Sequence, residues 1–125
     1  MRFITATLTI AAACASAAVA AASPARLSDV QFIAANRCVG IESAKAFAGP
    51  DVAALRQLVK TQQWGRDSFL YDKADQARQD GEREASRTGA ESSMRLAAER
   101  DGVCRNLAST ITASSGSGAT HTMIQ

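Results

Sequence analysis

One histidine, two prolines, three cysteines, one tryptophan, one tyrosine and four phenylalanines are all that 125 residues hold of these types. Each scarcity excludes something. His121 is the single imidazole, and it lies in a Ser/Gly-rich stretch expected to be flexible. A Ser-His-Asp or Cys-His centre needs an imidazole held within hydrogen-bond reach of its nucleophile, so neither can form. Two cysteines and one tail histidine also fall short of the four ligands of a structural zinc site. No Cys-x-x-Cys spacing is present to lower a thiol pKa. An EF-hand read from Asp75 would require oxygen side chains at Ala77 and Gln79, and its glycine arrives one position late, at Gly81. Gly116-Ser117-Gly118 lacks the lysine and following helix of a phosphate loop. No segment alternates like a half-buried strand, and branched or aromatic clusters bounded by turns are missing. Catalytic, metal and cofactor-binding residues are therefore all assigned as none.

Charge of one sign is lacking as well. The chain carries fourteen basic and twelve acidic residues, for a net +2 at pH 7. Between Arg66 and Arg105 eight basic and nine acidic side chains interleave, whereas a nucleic-acid footprint gathers one sign on one face. Nucleic acid is excluded as a partner.

The most informative segment that is present comes first. Met1-Arg2 makes a short positive start, Phe3 to Cys14 is apolar, and small residues run to Ala22. This is the layout of a secretory signal peptide, with cleavage after Ala20 or Ala22. A retained membrane anchor is the weaker reading, because Thr5, Thr7, Thr9 and Ser16 dilute the stretch. Lipidation at Cys14 is disfavoured, since Ala11-Ala12-Ala13 supplies no larger aliphatic residue three places upstream. Residues 1–22 are thus read as a leader, which puts the protein in the periplasm or outside the cell, and the alanine-rich leader points to a bacterium. Cys38 and Cys104 then remain in an oxidising compartment and are expected to pair. A cross-link spanning 66 positions restricts the unfolded chain by about 4 kcal/mol in the loop-entropy model. The bridge is read as a staple, not a redox switch.

Residues 23–112 read as one small all-α domain of three or four helices. Ser28 or Asp29 caps the first, which carries Val30, Ile33, Ala34 and Arg37/Cys38 on its inner face and stops at Gly40. Ile41 to Ala48 makes a short further turn around Phe47. Pro50 opens a second helix with Asp51 in its first turn, whose stripe of Val52, Leu55, Leu58, Val59 and Gln62 is the strongest in the chain, and Gly65 closes it in the left-handed conformation. A long polar helix over residues 66–88 turns Phe69/Leu70, Ala74, Ala77, Gly81 and Ala85 inward, with Gly81 as a weak point. Its pairs are Asp75–Arg78, Asp80–Arg83 and Glu84–Arg87. Asp72, Asp75, Asp80, Glu82 and Glu84 form a solvated face. From Ala90 to Ile111, Met94, Ala97, Ala98/Asp101, Cys104, Leu107 and Ile111 share one side, Glu91, Arg95 and Glu99 form a ladder on another, and Gly102 interrupts. Residues 113–125 are low in complexity and read as a disordered tail.

Trp64, Arg66, Phe69 and Tyr71 make the one aromatic corner. Burial of Trp64 and Phe69 as anchors of a helix turn is the favoured reading. Exposed, the corner would be a recognition site, because Trp, Tyr and Arg dominate such sites. The residues assigned to recognition are Trp64, Arg66 and Tyr71, and Arg66→Glu is expected to spare the fold. The function read from the sequence is that of an exported, non-enzymatic protein of the envelope that contacts another envelope protein. Two alternatives stand beside it. A peripheral membrane role needs Val52, Leu55, Leu58 and Val59 exposed, and a carboxylate-dependent hydrolase needs two acids facing one cleft.

Overall fold

The computed structural model describes residues 25–87 and 89–116, with side chains to Ile111. The expected leader and residues 117–125 of the expected tail lie outside the described residues, while residues 113–116, also expected in the tail, are helical. Helix α1 spans Asp29–Ser43, a 3₁₀ turn follows at Lys45–Phe47, and α2 spans Val52–Gln62. Helix α3 is Ser68–Ser86; α4, Ala90–Glu99, then runs through a π-helical turn, Arg100–Cys104, directly into α5, Arg105–Gly116. The result is four helical rods and, among the described residues, no strand.

Helix α1 is the axis. It opens on a capping box, Gln31 N–H donating to the Ser28 hydroxyl at 3.2 Å while Ser28 N–H donates to Gln31 Oε1 at 3.0 Å. Three hydrophobic clusters surround it, and α1 supplies residues to each. Ala35, Cys38 and Val39 pack with Leu27, Leu55, Leu58, Cys104, Leu107 and Ala108. Ile41 packs with Ala44, Phe47, Ala85 and Leu96, and Phe32 with Leu70 and Ala74. A helix enclosed on several sides has no single apolar face, so the expected stripe was too narrow. Val30 is exposed, while Phe32, Asn36, Ile41 and Glu42 are buried. Asn36 is accommodated by donating to the Phe32 carbonyl at 2.9 Å.

Gly40 does not stop α1. It lies inside the helix at its crossing with α3, where a Cβ would stand 2.0 Å from the Arg78 carbonyl oxygen and 3.0 Å from the Glu82 nitrogen. Gly81 faces it from α3, where a Cβ would stand 2.6 Å from the Arg37 carbonyl oxygen. The two residues expected as a terminator and a flaw are instead where the backbones meet. The remaining inward residues of α3 are as expected, Leu70, Ala74 and Ala85 being buried and Ala77 half-buried, but Phe69 is exposed.

Helix α2 buries Leu55, Leu58 and Gln62 and ends at Gln62, three residues before Gly65, whose φ is +73°. Pro50 lies one residue before the Asp51 N-cap, not at the first helical position.

The last rod departs most from its expected pattern. A π turn closes i→i+5 hydrogen bonds and holds about one extra residue. Upstream of Arg100 the inner face is therefore displaced one position toward the N-terminus. Leu96 is buried in place of Ala97, which is half-buried, Ser93 is half-buried, and Met94 is exposed. Downstream, Cys104, Leu107, Ala108 and Ile111 keep their expected side. The Cys38–Cys104 disulfide is formed, with Cα atoms 5.4 Å apart, and ties the middle of α1 to the π turn.

Two expected ionic pairings are redirected. Glu84 pairs with Arg37 at 2.8 Å and Arg95 at 2.9 Å, not with Arg87, and Glu99 pairs with Arg37 at 2.7 Å in place of a ladder with Arg95. Arg37 thus joins α1, α3 and α4, and its two carboxylate partners raise its already high pKa. The contact with Arg37 lowers that of Glu84. Asp75–Arg78 and Asp80–Arg83 form as expected.

Candidate functional site

The aromatic corner sits where the N-terminus of α1 meets the turn between α2 and α3. Polar side chains fasten that junction. Gln62 Oε1 accepts from Leu27 N–H at 2.9 Å, and Arg26 donates to the Trp64 carbonyl at 2.9 Å. Arg66 donates to the Gln62 carbonyl at 2.8 Å, to the Leu27 carbonyl at 2.7 Å and to Asp29 Oδ1 at 2.6 Å. Its guanidinium also lies 4.3 Å from the centre of the Phe32 ring, a contact worth about 2 kcal/mol when desolvated.

Arg66 therefore presents almost no surface. Its side chain is only 2 % exposed, because the planar guanidinium is turned inward by three hydrogen bonds, to the Gln62 and Leu27 carbonyls and to Asp29. The same burial argues against the expectation that Arg66→Glu spares the fold. Tyr71 is also engaged from below, its hydroxyl donating to the Gln63 carbonyl and its ring meeting Phe32 edge-on at 6.4 Å.

Trp64 and Phe69 behave in the opposite way. Trp64 is 75 % exposed and Phe69 69 % exposed, against the expectation that both anchor the turn. The anchoring is done by Arg66, Gln62 and Leu70, which leaves the two aromatic faces outside. Lys73 stands 5.6 Å from the Phe69 ring centre and partly covers one side of it. Of the residues singled out for recognition, Trp64 faces water, Tyr71 is partly exposed and Arg66 supports them from beneath. The signal that Arg66 would be buried was weak: a lone arginine four residues after a helix end, next to a glycine.

A second polar centre went unrecognised in the sequence. Glu42, in the last turn of α1, is 2 % exposed, and neither of its carboxylate oxygens has a hydrogen-bond partner. Burial, and after it the nearby Asp51, push its carboxyl above the usual range, while Arg100 and Arg105 pull it back. Glutamate in a helical segment carries no mark of burial, so periodicity passed over it.

The alternatives can be placed against this geometry. Leu55 and Leu58 are buried, and Val52 and Val59 half-buried, so the α2 stripe is spent on the core and offers no face to a bilayer. No helix among the described residues is long and apolar enough to cross a membrane. Glu42 is buried on α1, whereas Asp72, Asp75 and Glu82 of α3 are exposed. Among the described residues no group of three or more His, Cys, Asp or Glu side chains could hold a metal ion. In comparison with known proteins, no family model, no curated protein and no solved structure matches this chain.

Proposed function

We propose that the protein is an exported, disulfide-braced helical module of the bacterial envelope that works by binding another envelope protein through the end bearing Trp64 and Phe69. One observation carries this reading: two large aromatic side chains project into water from a backbone that is otherwise pinned. A monomer gains nothing in folding from leaving Trp64 and Phe69 outside, since each would contribute through burial at roughly 25 cal/mol per Å². Rigidly presented aromatics are what partner surfaces use as anchors, because little side-chain entropy is lost on docking. The disulfide supports the oxidising compartment that export requires.

The test uses the full-length gene in its native host, with a photoreactive amino acid at position 64. The expected result is a discrete cross-linked species in the envelope fraction, abolished by Phe69→Ala, with the mature N-terminus at Ala21 or Ser23. A protein retained in the cytoplasm with Met1 intact, or cross-links only to lipid, would refute the proposal.

A further inference from the structure

Ionised carboxylates this deeply buried are normally paired, and Glu42 is not. Its surroundings explain why. On one side is the loop that leads to α2: a Cβ on Gly49 would lie 2.9 Å from Glu42 Oε2, so the loop backbone presses directly on the carboxyl. On the other side is the π turn. The charged groups that face Glu42 are Asp51 before α2, Arg100 and Asp101 on the π turn, and Arg105 at the start of α5. Both arginines are engaged elsewhere, Arg100 with Asp101 at 3.0 Å and Arg105 with Asp101 at 3.4 Å and Asp51 at 3.9 Å.

Such an arrangement suits a neutral carboxylic acid. An anion here would lack every donor that ionisation demands, and Asp51 would repel it. It would have to recruit Arg100 or Arg105 or leave the interior, and either route takes the carboxyl from beneath the loop backbone at Gly49. The loop is the element able to yield, because the π turn sets the phase of α4 and is fixed at its far end by the disulfide at Cys104. We propose that Glu42 is a proton-operated latch: with its proton on, the loop over residues 48–51 closes against the last turn of α1, and loss of the proton opens that junction.

The direction follows from the raised carboxyl. A group whose folded pKa lies above its unfolded value costs nothing while both states are protonated, and it destabilises the closed form as pH rises from the ordinary 4.5 through the raised value. The closed junction thus belongs to mildly acidic surroundings and the open one to neutral or alkaline ones. This inference does not depend on the partner reading above.

The experiment compares the disulfide-intact wild-type protein with Glu42→Gln between about pH 4.5 and about pH 8, by thermal melting and residue-resolved hydrogen exchange. The wild type should lose about 5 °C or more relative to the variant as pH rises. Its amides at residues 47 and 55, which donate to the Ala44 and Asp51 carbonyls on either side of the loop, should exchange faster than those of the variant, with α3 unchanged. A carbon-13 titration of the Glu42 carboxyl in the wild type supplies a readout that needs no variant. Parallel melting profiles, an exchange difference spread over the whole domain, or a Glu42 midpoint at or below 4.5 would each overturn the latch.

Discussion

Replacing Gly40 by alanine sets two effects of opposite sign against each other. Alanine is the better helix former by about 1 kcal/mol, and in an exposed helix the change would stabilise. At the α1–α3 crossing the new methyl would stand 2.0 Å from a carbonyl oxygen, with a peptide carbon at 2.9 Å and a peptide nitrogen at 3.0 Å. All three atoms belong to the α3 backbone, so no side chain can rotate away. The helices must part by on the order of 1 Å, which loosens Phe32 against Leu70 and Ala74 and Ile41 against Ala85. Overpacking of this kind costs about 3 kcal/mol at the upper end of its usual range, and the propensity gain leaves a net loss of about 2 kcal/mol. For a domain of this size that is a fall in Tm of about 8–16 °C. Gly102→Ala is the internal control, since nothing lies within 4 Å of its Cβ position. It should gain about 0.5–1 kcal/mol from backbone entropy alone. Urea denaturation of the oxidised protein, followed by far-UV circular dichroism, measures both. If Gly40→Ala is as stable as the parent, α1 and α3 do not cross at these glycines, and the packing described here is wrong.

Arg66→Glu should destabilise by about 3–5 kcal/mol, because it removes a buried hub and sets a carboxylate against Asp29 and two carbonyl oxygens; a variant with unchanged Tm would return Arg66 to the surface. Serine at both Cys38 and Cys104 should cost about 4 kcal/mol, read as a lower urea midpoint with helicity recovered on adding an osmolyte. A double variant that melts with the parent would show that the bridge is not the staple.

What the sequence made legible was set by how one-sided each helix is. Helix α2 touches the core with a single face, so Leu55, Leu58 and Gln62 could be read from spacing alone. Helix α1 is enclosed, and Phe32, Ile41 and Glu42 fall outside any one stripe. The glycines misled because composition cannot separate a glycine that ends a helix from one that admits a neighbouring backbone. Gly65 was recognisable from the apolar run that stops before it, whereas Gly40 and Gly81 acquire their meaning only as a pair distant in sequence. In the aromatic corner the residue types were found, but which of them face water depended on long-range bonds from Leu27 and Asp29 to Arg66. The disulfide followed from counting the cysteines left once Cys14 was assigned to a leader.

The π turn encodes a length. Helical residues advance by about 100° each, so removing one residue between Leu96 and Cys104 would turn everything upstream by nearly a third of a revolution. Leu96 would leave its seat against Ile41 and Ala85, and Glu99 would swing away from Arg37. Substitution at Gly102 meets open space, but deletion at the same position rephases ten residues of α4. The chain can therefore vary in composition at Gly102 and still cannot shorten there, a constraint on indels that the residue itself does not announce.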